Sequence, residues 1–181
     1  MATLFVDKLD PQSGTALEIG SSGDTITIPS GATLTNSGTA TGFGKVLQVK
    51  NATDGTQRST TSQTFGLNSS TLTLDITPSS TSSKILVTCS VMLYINASAA
   101  RLTIFRDSTN LADGLSSEDS FITTDGDGHY YSVSGLHFLD SPSTTSSVNY
   151  QIRFRNNQGS TTTTLPFTSA LGVLTVYEIG A

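Results

Sequence analysis

The sequence lacks tryptophan altogether, and it has one cysteine, five prolines and only 13% charged residues in 181 positions. Each shortage excludes something. A single cysteine, Cys89, forbids an intrachain disulfide and any cysteine-rich metal site. Without tryptophan, a sugar-cleaving cleft would lack its broadest stacking platform. The nine Lys and Arg residues are scattered in a chain of net charge −5, so there is no basic patch for nucleic acid. No apolar run approaches the roughly 18 residues that a membrane helix needs, so no membrane insertion is expected. The opening Met-Ala-Thr-Leu-Phe-Val-Asp-Lys has neither the basic start nor the long apolar core of a secretory signal. No helical heptad runs anywhere in the chain.

What fills the sequence instead is hydroxyl: 30 Thr and 27 Ser, with 16 Gly for turns. Threonine's branched β-carbon favours extended backbone on a half-wet, pleated surface. The clearest strand is Val148-Asn-Tyr150-Gln-Ile152-Arg-Phe154-Arg155, which alternates apolar and polar at every step. Its dry face is Val148, Tyr150, Ile152 and Phe154; its wet face is Asn149, Gln151, Arg153 and Arg155. Similar patterns predict strands near Lys45–Asn51, Thr71–Ile76, Lys84–Ile95, Arg101–Arg106, Tyr130–Leu139 and Leu171–Ile179. One short helical turn is allowed at Ser117–Thr124. The fold class is all-β, and this many strands over residues 45–181 fits a two-sheet jelly-roll sandwich.

Residues 1–44 differ. They carry few large side chains, and two four-residue strands, Thr25–Ile28 and Ala32–Thr35, flank a Pro29-Ser-Gly31 turn. Phe5, Leu17, Ile19, Ile26, Ile28 and Leu34 are too few to close a core in one chain. Such a segment is either disordered or pools its apolar residues with copies from other chains. The chain therefore divides into a β-rich N-terminal segment, 1–44, and a sandwich, 45–181.

Candidate chemistry is thin. Asp113, Glu118, Asp119, Asp125 and Asp127 form the densest acidic cluster, and calcium takes several oxygen ligands. The Asp125-Gly-Asp-Gly stretch lacks the downstream acid of a calcium loop, since position 136 is Leu, and reads as a positive-φ hairpin turn. Glu118 and Asp119 are the best pair for glycoside hydrolysis, without an aromatic platform beside them. His129 and His137 stand eight residues apart, about 26 Å along a strand, too far for one metal ion. Cys89 shares a strand face with Ile85, Val87, Val91 and Leu93 and reads as a buried, inert thiol. No catalytic residue, metal site or cofactor is assigned. Loop-adjacent residues remain: Tyr94, Asn96, Asp125, Asp127, Tyr130 and Asn157. Tyr, Asn and Gly are the residues of adaptable recognition loops, and equally of strand edges with hydroxyls in water. Both readings stand at this point. Any binding loops are expected at one end of the sandwich.

Several phrases resemble fibre-type proteins of marine bacteriophages. They are Phe5-Val-Asp-Lys-Leu-Asp-Pro-Gln-Ser-Gly-Thr-Ala-Leu-Glu-Ile-Gly20, Asp24-Thr-Ile-Thr-Ile-Pro-Ser-Gly-Ala-Thr-Leu34, Ser83-Lys-Ile-Leu-Val87, Leu102-Thr-Ile-Phe-Arg-Asp107, Leu139-Asp-Ser-Pro142 and Tyr177-Glu-Ile179. The resemblance implies a homotrimer with a slender N-terminal stalk, carrying Phe5, Leu17, Ile19, Ile26, Ile28 and Leu34, that attaches to other virion proteins. It implies a head similar to tumour-necrosis-factor and complement jelly rolls, binding a host surface receptor, a glycan, without catalysis. The protein would be assembled in the host cytoplasm and reside in the virion. The chain is short for a tail fibre, which keeps a capsid-mounted head fibre or decoration protein as the alternative and a surface-glycan hydrolase as a lesser one. Phe138, Phe154 and Tyr177 are candidates for the trimer axis.

Overall fold

A computed structural model of the chain describes residues 9, 11–38, 46–66, 72–96, 99–114, 120–124, 129–166 and 170–180. The chain falls into two units, Met1–Thr41 and Gly42–Ala181. In the first, residues 11–38 form no strand, and every one from 12 to 38 is exposed. The expected Pro29-Ser-Gly31 turn is present, with the Ala32 amide donating to the Pro29 carbonyl at 3.1 Å. A second turn is closed by the Asp24 amide on the Ser21 carbonyl at 3.0 Å and by the Ser21 amide on Asp24 Oδ2 at 2.7 Å. The strands expected at Thr25–Ile28 and Ala32–Thr35 are absent. A strand needs a neighbour for its amides and carbonyls, and among the described residues these stretches have none. Phe5 lies outside the described residues.

The second unit is all-β. Its strands are β1 (Val46–Asp54), β2 (Arg58–Thr60), β3 (Thr73–Ile76), β4 (Lys84–Asn96), β5 (Ala100–Arg106), β6 (Thr109–Asn110), β7 (Ile122–Thr124), β8 (His129–Asp140), β9 (Val148–Asn156), β10 (Thr163–Leu165) and β11 (Gly172–Ile179). They make two antiparallel sheets, a β-sandwich. Sheet A runs β1-β11-β4-β10-β2, with β8 on the other side of β4; sheet B runs β3-β9-β5-β6, with β7 also on β5. Successive long strands change sheets: β3 lies in B, β4 in A, β5 in B, β8 in A, β9 in B and β11 in A.

Alternation explains the core. The even steps of β4, from Ile85 to Ile95, and Val148, Tyr150, Ile152 and Phe154 of β9 are buried with Leu102, Ile104, Leu174 and Val176 in one apolar cluster. The predicted dry face of β9 is therefore the inner face of sheet B. Phe154 is fully buried there, so it is no candidate for an axis between chains. Phe138 also points inward, with its ring 5.1 Å from that of Phe121. Gly172 opens β11 where a Cβ would come within 3.0 Å of Leu72 Cδ1 and 3.3 Å of the Asp54 carbonyl, which explains the glycine. The helical turn allowed at Ser117–Thr124 is not found in its described part: 122–124 is β7, because Leu102 to Ala100 of β5 offer it a ladder. Residues 117–119 lie outside the described set.

One polar knot ties the two sheets together. Arg106 of β5 donates from Nη1 to both Asp140 oxygens of β8, at 2.9 and 2.8 Å. The Tyr150 hydroxyl of β9 donates to Asp140 Oδ2 at 2.6 Å. Burial, then the adjoining Asp140 carboxylate, holds the Tyr150 phenol far above its ordinary pKa. Asp140→Ala would strand Arg106 and a buried hydroxyl, so urea unfolding should register a loss of about 3 kcal/mol. Tyr150→Phe removes one bond only and should cost about 1 kcal/mol.

Candidate interaction surfaces

The two outer faces of the sandwich differ in chemistry. On sheet A the odd register positions line up in rows across four strands. One row is Val49, Tyr177, Leu86 and Leu139; the next are Asn51, Thr175, Thr88, His137 and Thr53, Val173, Ser90, Gly135. Further along, β4 and β8 alone continue with the pairs Met92–Val133, Tyr94–Tyr131 and Asn96–His129. The face is apolar towards both ends with a belt of hydroxyls between. None of these positions carries Asp, Glu, Lys or Arg; the one charge on the face is Lys84, which pairs with Ile179 in the row beyond Leu86 and donates to Ser141 Oγ at 2.7 Å. The β8 side is the most open: Val133 is 72% and Tyr131 63% exposed. Among the described residues β8 pairs only with β4, so its other edge presents a twelve-residue row of backbone donors and acceptors.

Sheet B turns a polar face outward. Arg153 of β9 lies over the Phe105 ring at 4.0 Å, and Arg155 over the Phe65 ring at 5.2 Å. The predicted wet face of β9 is thus half covered: Gln151 is buried, with its Oε1 accepting from Arg153 Nε at 2.9 Å. Arg101 and Thr103 of β5 are buried on this side as well.

The predicted loop contacts distribute as follows. Tyr94 stands on the outer face of sheet A, where its hydroxyl and His129 Nδ1 share a hydrogen bond of 2.6 Å. Its ring stacks on His129 at 5.9 Å and meets Tyr131 at 5.2 Å. Asn96 closes the same strand, its amide donating to the Thr162 carbonyl at 3.1 Å. Asn157 reaches the same end of the sandwich through its amide on the Ala99 carbonyl at 2.9 Å, and its Oδ1 accepts from Arg155 Nη1 at 3.2 Å. Tyr94, Asn96 and Asn157 therefore share one end of the sandwich, with Tyr94 and Asn96 on β4 itself. Tyr130 pairs in the β4–β8 ladder with Ile95; its side chain, like Asp125, Asp127, Glu118 and Asp119, lies outside the described residues. Asp113 is exposed in a turn. Among the described residues no three His, Cys, Asp or Glu side chains gather as a metal site would require.

Two features escaped the sequence reading. Asn156 is fully buried: its Oδ1 accepts from the amides of Gln158 and Gly159 at 2.8 and 3.0 Å, and its Nδ2 donates to Thr161 and Thr163 hydroxyls, both at 3.2 Å. It pins the loop beside Asn157. Glu178 is also fully buried, with Oε1 accepting from the Ser79 amide at 2.7 Å and its hydroxyl at 2.6 Å, and Oε2 accepting from Gln48 Nε2 at 2.6 Å. Burial alone would raise its pKa, but these donors outweigh it and hold the carboxyl at about 2. A charged residue inside β11 is visible in sequence; that three donors converge on it is not.

No protein-family model matches the chain, and no curated protein matches it.

Proposed function

We propose that the protein is a bacteriophage virion fibre, a homotrimer whose head binds a host-surface glycan and whose N-terminal segment attaches to other virion proteins. The observation that carries this reading is the outer face of sheet A, whose one charged residue, Lys84, sits at its end. Depletion of charge with enrichment in Tyr, Met and aliphatic side chains is the composition of an interface core rather than of a solvated face. An apolar sheet face beside an open strand edge is a liability for a free monomer. Copies of the same chain cover such a face with closed symmetry. Tyr177, alone of the three axis candidates, lies on this face. The N-terminal unit has the same need: Ile19, Ile26, Ile28 and Leu34 are each at least half exposed and have no strand partner among the described residues. The number three comes from the resemblance to phage fibres; the face itself calls only for further copies.

The strand order supports a jelly-roll head. A chain that changes sheets at each long strand wraps two sheets around one core in the manner of that fold. Three weak sites on a trimeric head, repeated over a virion, raise effective affinity by about two to four orders of magnitude without new contacts.

The test is the light-scattering mass of the full-length protein, followed by competition of the purified protein with phage adsorption to host cells. A mass near three times 18.9 kDa together with blocked adsorption supports the reading. A trimer that leaves adsorption untouched points to a capsid-mounted fibre or decoration protein. A monomer overturns the fibre reading.

A further inference from the structure

We propose that the outer face of sheet B is a binding site for an acidic sugar, one bearing a carboxylate or sulfate, centred on Arg153. This deepens the glycan-binding reading above and rests on it.

Among the described residues Arg153 has no counter-charge. Its Nε donates to Gln151 Oε1 at 2.9 Å, its Nη2 makes a long contact of 3.3 Å to the Asp107 carbonyl, and Nη1 has no partner. The chain has fourteen carboxylates for nine basic side chains, yet two that flank this face, Asp107 and Asp75, each accept from Asn149. Asp107 Oδ1 accepts from the Asn149 amide at 2.9 Å, and Asp75 Oδ1 from Asn149 Nδ2 at 2.8 Å. Burial also lowers the Arg153 pKa from its ordinary value, as expected of a partly desolvated guanidinium with no anion beside it.

The guanidinium is pre-oriented as well. Stacked on Phe105 at 4.0 Å and fixed through Nε, it has lost most of its rotamer freedom before any ligand arrives. Arg155, two residues along the same strand face and about 7 Å away, is laid on Phe65 in the same manner. An arginine held flat with an open Nη edge suits a planar carboxylate or a sulfate. Gln151, Asn149 and Thr73 around it are neutral amides and a hydroxyl, which suit sugar hydroxyls, and the Asp107 and Asp75 carboxylates that flank them already accept from Asn149. A polyanion as dense as nucleic acid is disfavoured, since the whole chain is at −5. With sheet A facing other copies, sheet B is the broad face left to meet a host surface.

The experiment is titration of the full-length protein, at low salt, with alginate, dextran sulfate, neutral dextran and polyglutamate. Binding to alginate or dextran sulfate but not to neutral dextran is expected. Arg153→Gln should weaken it at least tenfold with the circular dichroism spectrum unchanged, and Arg153→Lys should weaken it less. Lys84→Gln makes the same change in net charge on a different face and should leave binding intact. Loss equal to that of Arg153→Gln would mean unspecific charge attraction and would overturn the site. Absence of binding to both acidic polysaccharides would overturn it too. Equal binding of polyglutamate would replace the sugar with an acidic peptide. If Arg153→Gln competes with phage adsorption as well as the wild type, this site fails while the fibre reading stands; if neither protein competes, that reading itself fails.

Discussion

Val133→Asp is expected to convert the protein from a species near three times 18.9 kDa to one of 18.9 kDa, with little change in the stability of the fold. Val133 points outward from β8, is 72% exposed in the single chain and packs beside Met92 across the ladder. In an isolated chain the substitution puts a carboxylate into water, and such exposed replacements usually change stability by less than about 0.5 kcal/mol. In an assembly closed over this face the same carboxylate would be buried once per copy, unpaired within its own chain, since the one lysine of the face, Lys84, lies eight residues along β4 from Met92, about 26 Å away. A buried unpaired charge costs several kcal/mol per ion, and closed symmetry multiplies that cost by the number of copies. Mass by light scattering reads the first effect and circular dichroism the second. An unchanged mass for Val133→Asp alongside a trimeric wild type would move the contact off this face.

Acid should weaken the fold through Glu178. Its carboxyl sits at about 2 in the folded protein against an ordinary 4.5. A group whose folded pKa is depressed contributes stability that is full above the unfolded pKa and fades as pH falls towards the folded one. The window therefore runs from about pH 4.5 down to about pH 2, and the contribution lost across it is about 3 kcal/mol. Glu178→Gln removes this titration. At neutral pH the variant should be less stable, because an amide placed opposite Gln48 and Ser79 satisfies fewer donors. Between pH 5 and pH 2.5 the gap between wild type and variant should shrink by about 2 kcal/mol. Urea unfolding at one fixed protein concentration, repeated across that range, measures it; a constant gap would assign the acid sensitivity to other carboxylates.

The sequence was most legible where a strand buries one face and wets the other. β4, β8, β9 and β11 fall within a residue or so of their predicted spans because period two over eight or more residues has few other solutions. β2, β6, β7 and β10 were missed. With two or three residues each, they have no period to read and exist because a longer strand lies beside them. The extended stretches at Thr25–Ile28 and Ala32–Thr35 failed for the converse reason: they have the propensity but no neighbour among the described residues. The site was less legible than the fold. Tyr94, Asn96 and Asn157 could be placed near one end because loops flank their strands. The Arg153–Phe105 and Arg155–Phe65 stacks join β9 to β5 and to the segment after β2, a juxtaposition set by sheet order. Spacing along the chain does not encode it. The charge-poor face of sheet A was present in the sequence all along, but its rows assemble only once β1, β11, β4 and β8 are in register.

Cys89 offers the experimenter an internal clock. It lies on the inner side of β4, a strand flanked by β11 on one edge and β8 on the other, and burial pushes its thiol up to about 12. A thiol reagent reaches it only when sheet A parts from sheet B, an opening close to global unfolding. The rate of alkylation in native buffer would thus time the opening of the sandwich directly in the purified chain, with no label to introduce and no second cysteine to confuse the signal.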